Sequence, residues 1–122
     1  MAAQTELLGI SLEAHPLELV LDKIKAAHAI TTLEAVERVG QRVTVAAIRQ
    51  ASHRSKTSKG ASMLFLTIED LAGTLETILF PDAYRQAKDI VNSSNPFTLT
   101  GIMEMDPERG EPFLNVENAS SL

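Results

Sequence analysis

A mainly β fold is predicted: five strands closing into a Greek-key barrel, one helix between strands three and four, and a short N-terminal helical segment. Three observations point there. Near Gly40 the hydrophobic period switches from helical to strand-like. Beyond it, β-prone apolar runs of strand length are separated by clusters of Gly, Pro, Asn, Asp and Ser. A single helical pattern interrupts those runs, after the third.

The elements follow in order. Leu17, Val20, Leu21 and Ile24 recur at i, i+3, i+4 and i+7, which predicts a helix over Pro16 to Ala29 with Pro16 in its first turn. Thr31 and Thr32 are candidate N-caps of a short second helix, with Leu33 and Val36 facing inward. Val43–Ile48 is the first strand, Met63–Ile68 the second and Thr74–Phe80 the third, with a tight turn at Asp70–Gly73. Pro81 cannot donate to a ladder and ends the third strand. Asp82–Val91 is the helix, with Ala83, Ala87, Ile90 and Val91 on its inner side. Phe97–Met103 is the fourth strand, Asp106–Gly110 a turn, and Pro112–Val116 the fifth strand. Three strands, a helix and two strands is the order of the OB-fold. The expected organisation is therefore a helical segment over 1–39, packed on an OB-fold domain over 40–122.

Composition bounds the function. The chain has 122 residues, 44% hydrophobic and 22% charged, enough for one core without staples. It has no cysteine, which excludes thiol chemistry, disulfides and zinc–thiolate sites. There is no signal-peptide pattern and no apolar run of membrane-spanning length, so a cytoplasmic location is expected. Net charge is −5, with 11 basic against 16 acidic residues, but the charge is segregated. Between Arg42 and Ser62 lie Arg42, Arg49, Arg54, Lys56 and Lys59 with no Asp or Glu.

That basic segment ends in Ser55-Lys56-Thr57-Ser58-Lys59-Gly60, which reads as an exposed loop between strands one and two. A basic loop beside a strand bearing an aromatic suits single-stranded nucleic acid. It also falls where OB-folds place oligonucleotides, across strands two and three. On strand two, Leu64, Leu66 and Ile68 claim the core, leaving Met63, Phe65, Thr67 and Glu69 on the other face. Phe65 is then a stacking platform, or else is buried under the N-terminal helices. Phe80, Phe97 and Phe113 are assigned to the core. Lys56 and Lys59 either neutralise phosphates or keep a hairpin soluble, and His53 could join them. Glu69-Asp70 reads as turn chemistry rather than a metal or acid–base pair. Glu104, Asp106, Glu108 and Glu111 gather near the fourth–fifth turn without EF-hand spacing, and they would repel phosphate. No nucleophile has a plausible base and no phosphate loop is present, so neither an enzyme, a cofactor nor a metal is expected.

Several motifs together resemble the OB-fold domain of bacterial DNA polymerase III α subunits, error-prone relatives included. They are Gly40-x-x-Val43, Arg54-x-x-x-Ser58-Lys59-Gly60, Met63-x-Phe65-x-Thr67-x-Glu69-Asp70-x-x-Gly73 and Phe80-Pro81-x-x-Tyr84. Glu6-Leu7-Leu8-Gly9 and His15-Pro16-Leu17 look like the stretch that leads into it. The Glu-Asp-x-x-Gly element also occurs in anticodon-binding domains of class II aminoacyl-tRNA synthetases. Two positions depart from the pattern: Ala47 and Ala14 stand where the family usually has Gly, and Ala47 is expected to relax the coiling of the first strand. A polymerase palm does not fit in this length, so a fragment or a separately encoded domain is expected. The resemblance implies a non-catalytic domain that contacts single-stranded DNA in replication or translesion synthesis. The alternatives are a protein-interaction module of a replication assembly and a tRNA- or RNA-binding domain. By the same resemblance Phe65 stacks on a base, Glu76 reads a base edge, and Arg49, Arg54, Lys56 and Lys59 follow the phosphates. With His53, Met63 and Thr67, these make up the candidate site.

Overall fold

The computed structural model describes residues 21–122. The start of the expected first helix, with Leu17 and Val20, and the motifs at Glu6–Gly9 and His15–Leu17 lie outside the described residues. Within them the order is α1 (Leu21–Ala26), α2 (Thr32–Ala35), β1 (Arg42–Lys56), β2 (Ser62–Glu69), β3 (Thr74–Leu79), α3 (Pro81–Val91), β4 (Phe97–Asp106) and β5 (Glu111–Ser121). The strands close into a barrel in the order β1-β2-β3-β5-β4. All neighbours are antiparallel except β3 and β5, which meet in parallel at Thr77↔Leu114 and Ile78↔Asn115. With the helix between β3 and β4, this is the OB-fold.

Strand alternation fills the barrel. Val43 and Val45 of β1, Leu64, Leu66 and Ile68 of β2, Leu75 and Leu79 of β3, Leu99 and Met103 of β4, and Leu114 and Val116 of β5 are all buried. Each such side chain removed from water is worth roughly 1.5–3 kcal/mol, which is what holds the register. Helix α3 contributes Tyr84, Ala87 and Val91 to the core, with Ala83 and Ile90 packed against it. Tyr84 joins the inner side expected of this helix. Pro81 is the first helical residue, where its missing N–H costs nothing.

β1 does two jobs. Its first half, Arg42 to Ala47, pairs with β4; its second, Ile48 to Lys56, pairs with β2, with a register shift between Arg49 and Ala51. The strand therefore crosses from one neighbour to the other despite Ala47. It also runs eight residues past the expected end at Ile48, so Arg49, His53, Arg54 and Lys56 lie on a strand and not in a loop. The back half has no apolar face, and for that reason alternation could not reveal it. Only Thr57 to Ala61 form the turn, closed by the Thr57 amide donating to the Ala61 carbonyl at 2.8 Å.

At Gly101 the barrel wall is drawn tight. A Cβ there would stand 2.0 Å from the Asn115 carbonyl oxygen and 2.9 Å from the Val116 Cα. Beside it the β4–β5 register shifts between Thr100 and Gly101, leaving Glu117 without a ladder partner. Glu117 reaches across to Arg42, which donates from Nε at 2.9 Å and from a terminal nitrogen at 3.0 Å. That hydrogen bond, with the charge of Arg42 beside it, holds the Glu117 carboxyl below its usual range. A lowered folded-state pKa gives stability that is present above the ordinary value of 4.5 and lost as pH falls through the folded value. Denaturation midpoints of the parent and Glu117→Gln should therefore converge as pH falls below 4.5.

The second helix corrects one expectation. Thr31 is its N-cap in a capping box with Glu34, as Thr-x-x-Glu spacing allows. Thr32 and Ala35 face the core, whereas Leu33 is 64% exposed. Thr32 turns inward because Asp70 receives it. The Thr32 amide donates to Oδ2 and its hydroxyl to Oδ1, both at 2.8 Å. Asp70 Oδ1 also accepts the Ala72 and Gly73 amides at 2.9 and 3.0 Å. The turn chemistry expected of Asp70 is present, and the same carboxylate ties the β2–β3 hairpin to α2.

α1 ends in a Schellman arrangement. His28 N–H donates to the Lys25 carbonyl and Ala29 N–H to that of Ile24. His28 takes the left-handed position at φ 56°, which usually falls to Gly. An L-residue there costs about 1–2 kcal/mol. His28→Gly should accordingly raise thermal stability, with a higher unfolding midpoint by calorimetry.

Candidate nucleic-acid interface

Because Leu64, Leu66 and Ile68 point inward, β2 presents Met63, Phe65 and Thr67 outward. Phe65 is 38% exposed, unusual for a large apolar ring in mid-strand, and the start of the N-terminal helix that was the alternative cover lies outside the described residues. Its cross-strand partner on β1 is His53, and the rings stack with centroids 6.2 Å apart at 28°. On the other side Phe65 pairs with Ile78 of β3, and Thr67 with Glu76. The Thr67 hydroxyl donates to Glu76 Oε2 at 2.9 Å, which fixes that carboxylate on the surface. His53, Met63, Phe65, Thr67 and Glu76 thus share one face.

A cleft of about 230 Å³ adjoins this face. Phe65, Glu76 and Ile78 line one side, and Asp106, Arg109 and Phe113 the other. Two expectations change here. Phe113 is only partly buried and looks onto the cleft, because Leu114 and Val116 take the inward positions of β5. Phe80 caps α3 and is 42% exposed, since Leu79 takes the last inward position of β3. Of the three rings assigned to the core, Phe97 alone is fully buried.

The acidic turn is partly neutralised from within. Asp106 accepts the Glu108 amide at 2.9 Å, and its other oxygen lies 3.4 Å from Arg109 Nε. Arg109 also lies 3.7 Å from Glu111. Glu104 accepts from Asn115 Nδ2 at 2.8 Å. Glu76, Asp106 and Glu108 nevertheless leave the cleft acidic, a lining that suits amino groups better than phosphates.

The cations do not converge on Phe65. Arg49 pairs with Ile68, Arg54 with Leu64 and Lys56 with Ser62, so the register sets all three on the opposite face of the ladder from Phe65. Lys59 sits in the turn. All four are exposed, and the β1 edge beyond Ala47 has no ladder partner opposite β2 among the described residues. Sequence reasoning missed Ile78, Arg109 and Phe113; alternation from Leu79 and Leu114 is the signal that finds the first and last. Among the described residues no group of three or more His, Asp or Glu could hold a metal, and no helix is long and apolar enough to cross a membrane.

No family model matches the chain. It is similar to the DNA polymerase III α subunit of Bacillus subtilis, 26% identical over 109 residues, covering 89% of this chain and 10% of that protein. The error-prone DNA polymerase of Ralstonia pickettii is 34% identical over 90 residues, 70% of this chain and 8% of that protein. That of Cutibacterium acnes is 30% identical over 102 residues, 82% and 9%. Among solved structures, asparaginyl-tRNA synthetase from Pyrococcus horikoshii superposes with a TM-score of 0.59 at 20% identity, over 77% of this chain and 22% of that one. Aspartyl-tRNA synthetase from Entamoeba histolytica gives 0.54 at 17% identity, over 76% and 21%. These two likenesses concern the fold. The chain spans about a tenth of the length of the polymerases it matches. It is an OB-fold domain homologous to one segment of DNA polymerase III α subunits and error-prone DNA polymerases.

Proposed function

We propose that this domain binds single-stranded DNA, without chemistry of its own, in cytoplasmic DNA replication or translesion synthesis. The observation that carries the reading is Phe65, an exposed ring at the centre of β2, backed by His53 and bordered by a cleft. A base stacks on Phe65 and turns its edge toward Glu76, whose carboxylate accepts from exocyclic amino groups. The acidic cleft keeps phosphates away, so the backbone runs along the β1 edge past Arg54, Lys56 and Lys59. RNA offers the same stacking faces, and oligoribonucleotides are the natural competitor in the assay.

Anisotropy of a labelled oligodeoxynucleotide tests this. Phe65→Ala should lose about 1–3 kcal/mol of binding with little change in stability. Neutralising three or four phosphates predicts a slope of log K against log salt of roughly −2 to −3. Lys56→Glu with Lys59→Glu should flatten that slope. Affinity indifferent to both salt and Phe65 would rule the platform out. A second reading rests on the carboxylates of the β4–β5 turn, which favour a basic protein partner in a replication assembly. Under that reading Glu108→Lys disrupts binding, whereas on the DNA reading it strengthens it.

A further inference from the structure

A second cleft, of about 370 Å³, opens where β1 begins its pairing with β4. His28, Arg38, Arg42, Thr44 and Thr100 line it. It is distant from Phe65. Arg42 begins β1, eleven residues before His53, the cross-strand partner of Phe65, so at about 3.3 Å per residue the two positions lie up to roughly 36 Å apart along the strand.

Its chemistry is that of an anion site. Among the described residues Arg38 makes no ion pair. Arg42 gives two of its five N–H groups to Glu117 and keeps the rest. The Thr44 and Thr100 hydroxyl oxygens lie 2.9 Å apart, so one donates to the other and the second hydroxyl hydrogen is left over. Glu117, the partner of Arg42, is not among the residues that line the cleft. His28, the left-handed residue that ends α1, also lines the cleft. We infer that this cleft binds a phosphoryl group, held by His28, Arg38 and Arg42 on the wall away from Phe65. Two planar guanidinium groups match tetrahedral oxyanions by paired N–H donors. The inference stands independently of the Phe65 platform.

The test is an amide chemical-shift titration of the isotope-labelled full chain, in the parent and in Phe65→Ala. One arm uses inorganic phosphate and the other an oligothymidylate. Saturable shifts at His28, Arg38, Arg42, Thr44 and Thr100 are expected, and they persist in Phe65→Ala. Arg38→Glu should weaken them at least about tenfold. His28→Gly keeps the fold, because glycine adopts that backbone freely, and should also weaken them. Tighter binding of the oligonucleotide identifies a backbone phosphodiester; tighter binding of phosphate identifies a free anion. No saturable shift in either arm, or unchanged affinity in both variants, overturns the site.

Discussion

Gly101→Ala should destabilise the domain by at least about 3 kcal/mol, with loss of the folded state at moderate temperature. The reason is backbone against backbone. The added carbon would stand 2.0 Å from the Asn115 carbonyl oxygen and 2.8 Å from its carbon, and neither can rotate away as a side chain could. Relief requires β4 and β5 to separate where Gly101 pairs with Val116 and Ile102 with Asn115. That seam closes the barrel, since β4 connects onward to β1 and β5 to β3. Separation would also shift Glu117, and so the pair it forms with Arg42. Urea unfolding followed by circular dichroism measures the effect. A midpoint within error of the parent would mean that the strands are not so close. Gly60→Ala is the control: no atom stands within 4 Å of its Cβ position, so its cost is the left-handed backbone at φ 83° alone.

What could be read from the sequence divides along physical lines. Where one strand face is buried, the period of two is visible, as in Leu64, Leu66 and Ile68, and the element and its orientation follow. The second half of β1 has solvent on both faces, so Arg49 to Lys56 carry no alternation and read as loop. Its strand character comes from the hydrogen bonds of β2, a non-local cause. Phe80 and Phe113 fail for another reason: residue type argues for burial, but position argues against it. Their neighbours Leu79 and Leu114 take the inward places, and the pleat leaves the rings outside. Gly101 did carry a signal, since a glycine within a strand marks close approach or a bulge.

The candidate site divides in the same way. Phe65 was legible because three aliphatic neighbours fixed its face. The cations were legible as a cluster in sequence, yet the β1–β2 register sets Arg49, Arg54 and Lys56 on the opposite face and leaves His53 beside Phe65. A one-residue shift in register decides which side of a sheet a charge occupies, and composition does not contain it. Arg42, counted with the basic segment, is held by Glu117 on a different wall.

Asp70→Ala should cost about 3–5 kcal/mol, far more than a turn residue on the surface would. Asp70 is 8% exposed and Thr32 only 1%, so water cannot replace the lost partner at Thr32. Its carboxylate accepts from the Thr32 amide and hydroxyl and from the amides of Ala72 and Gly73. Truncation leaves buried donors without acceptors, and each such donor costs about 1–3 kcal/mol. Asp70→Asn keeps one acceptor oxygen but turns an amino group toward a donor, so a loss of about 2 kcal/mol is expected. A double-mutant cycle isolates the link. Thr32→Val removes the hydroxyl and keeps the amide, and its coupling to Asp70→Ala should be at least about 0.5 kcal/mol because the two touch. Additive losses in that cycle would mean that the hydroxyl contact contributes nothing. The consequence extends beyond stability. Thr32 and Asp70 are 38 residues apart in the chain, and their contact is what anchors α2 to the β2–β3 hairpin. β2 and β3 carry Phe65 and Glu76, so freeing the hairpin should also loosen their relative position. Asp70→Asn, which retains the fold, is therefore expected to weaken oligonucleotide binding although it lies outside the cleft beside Phe65.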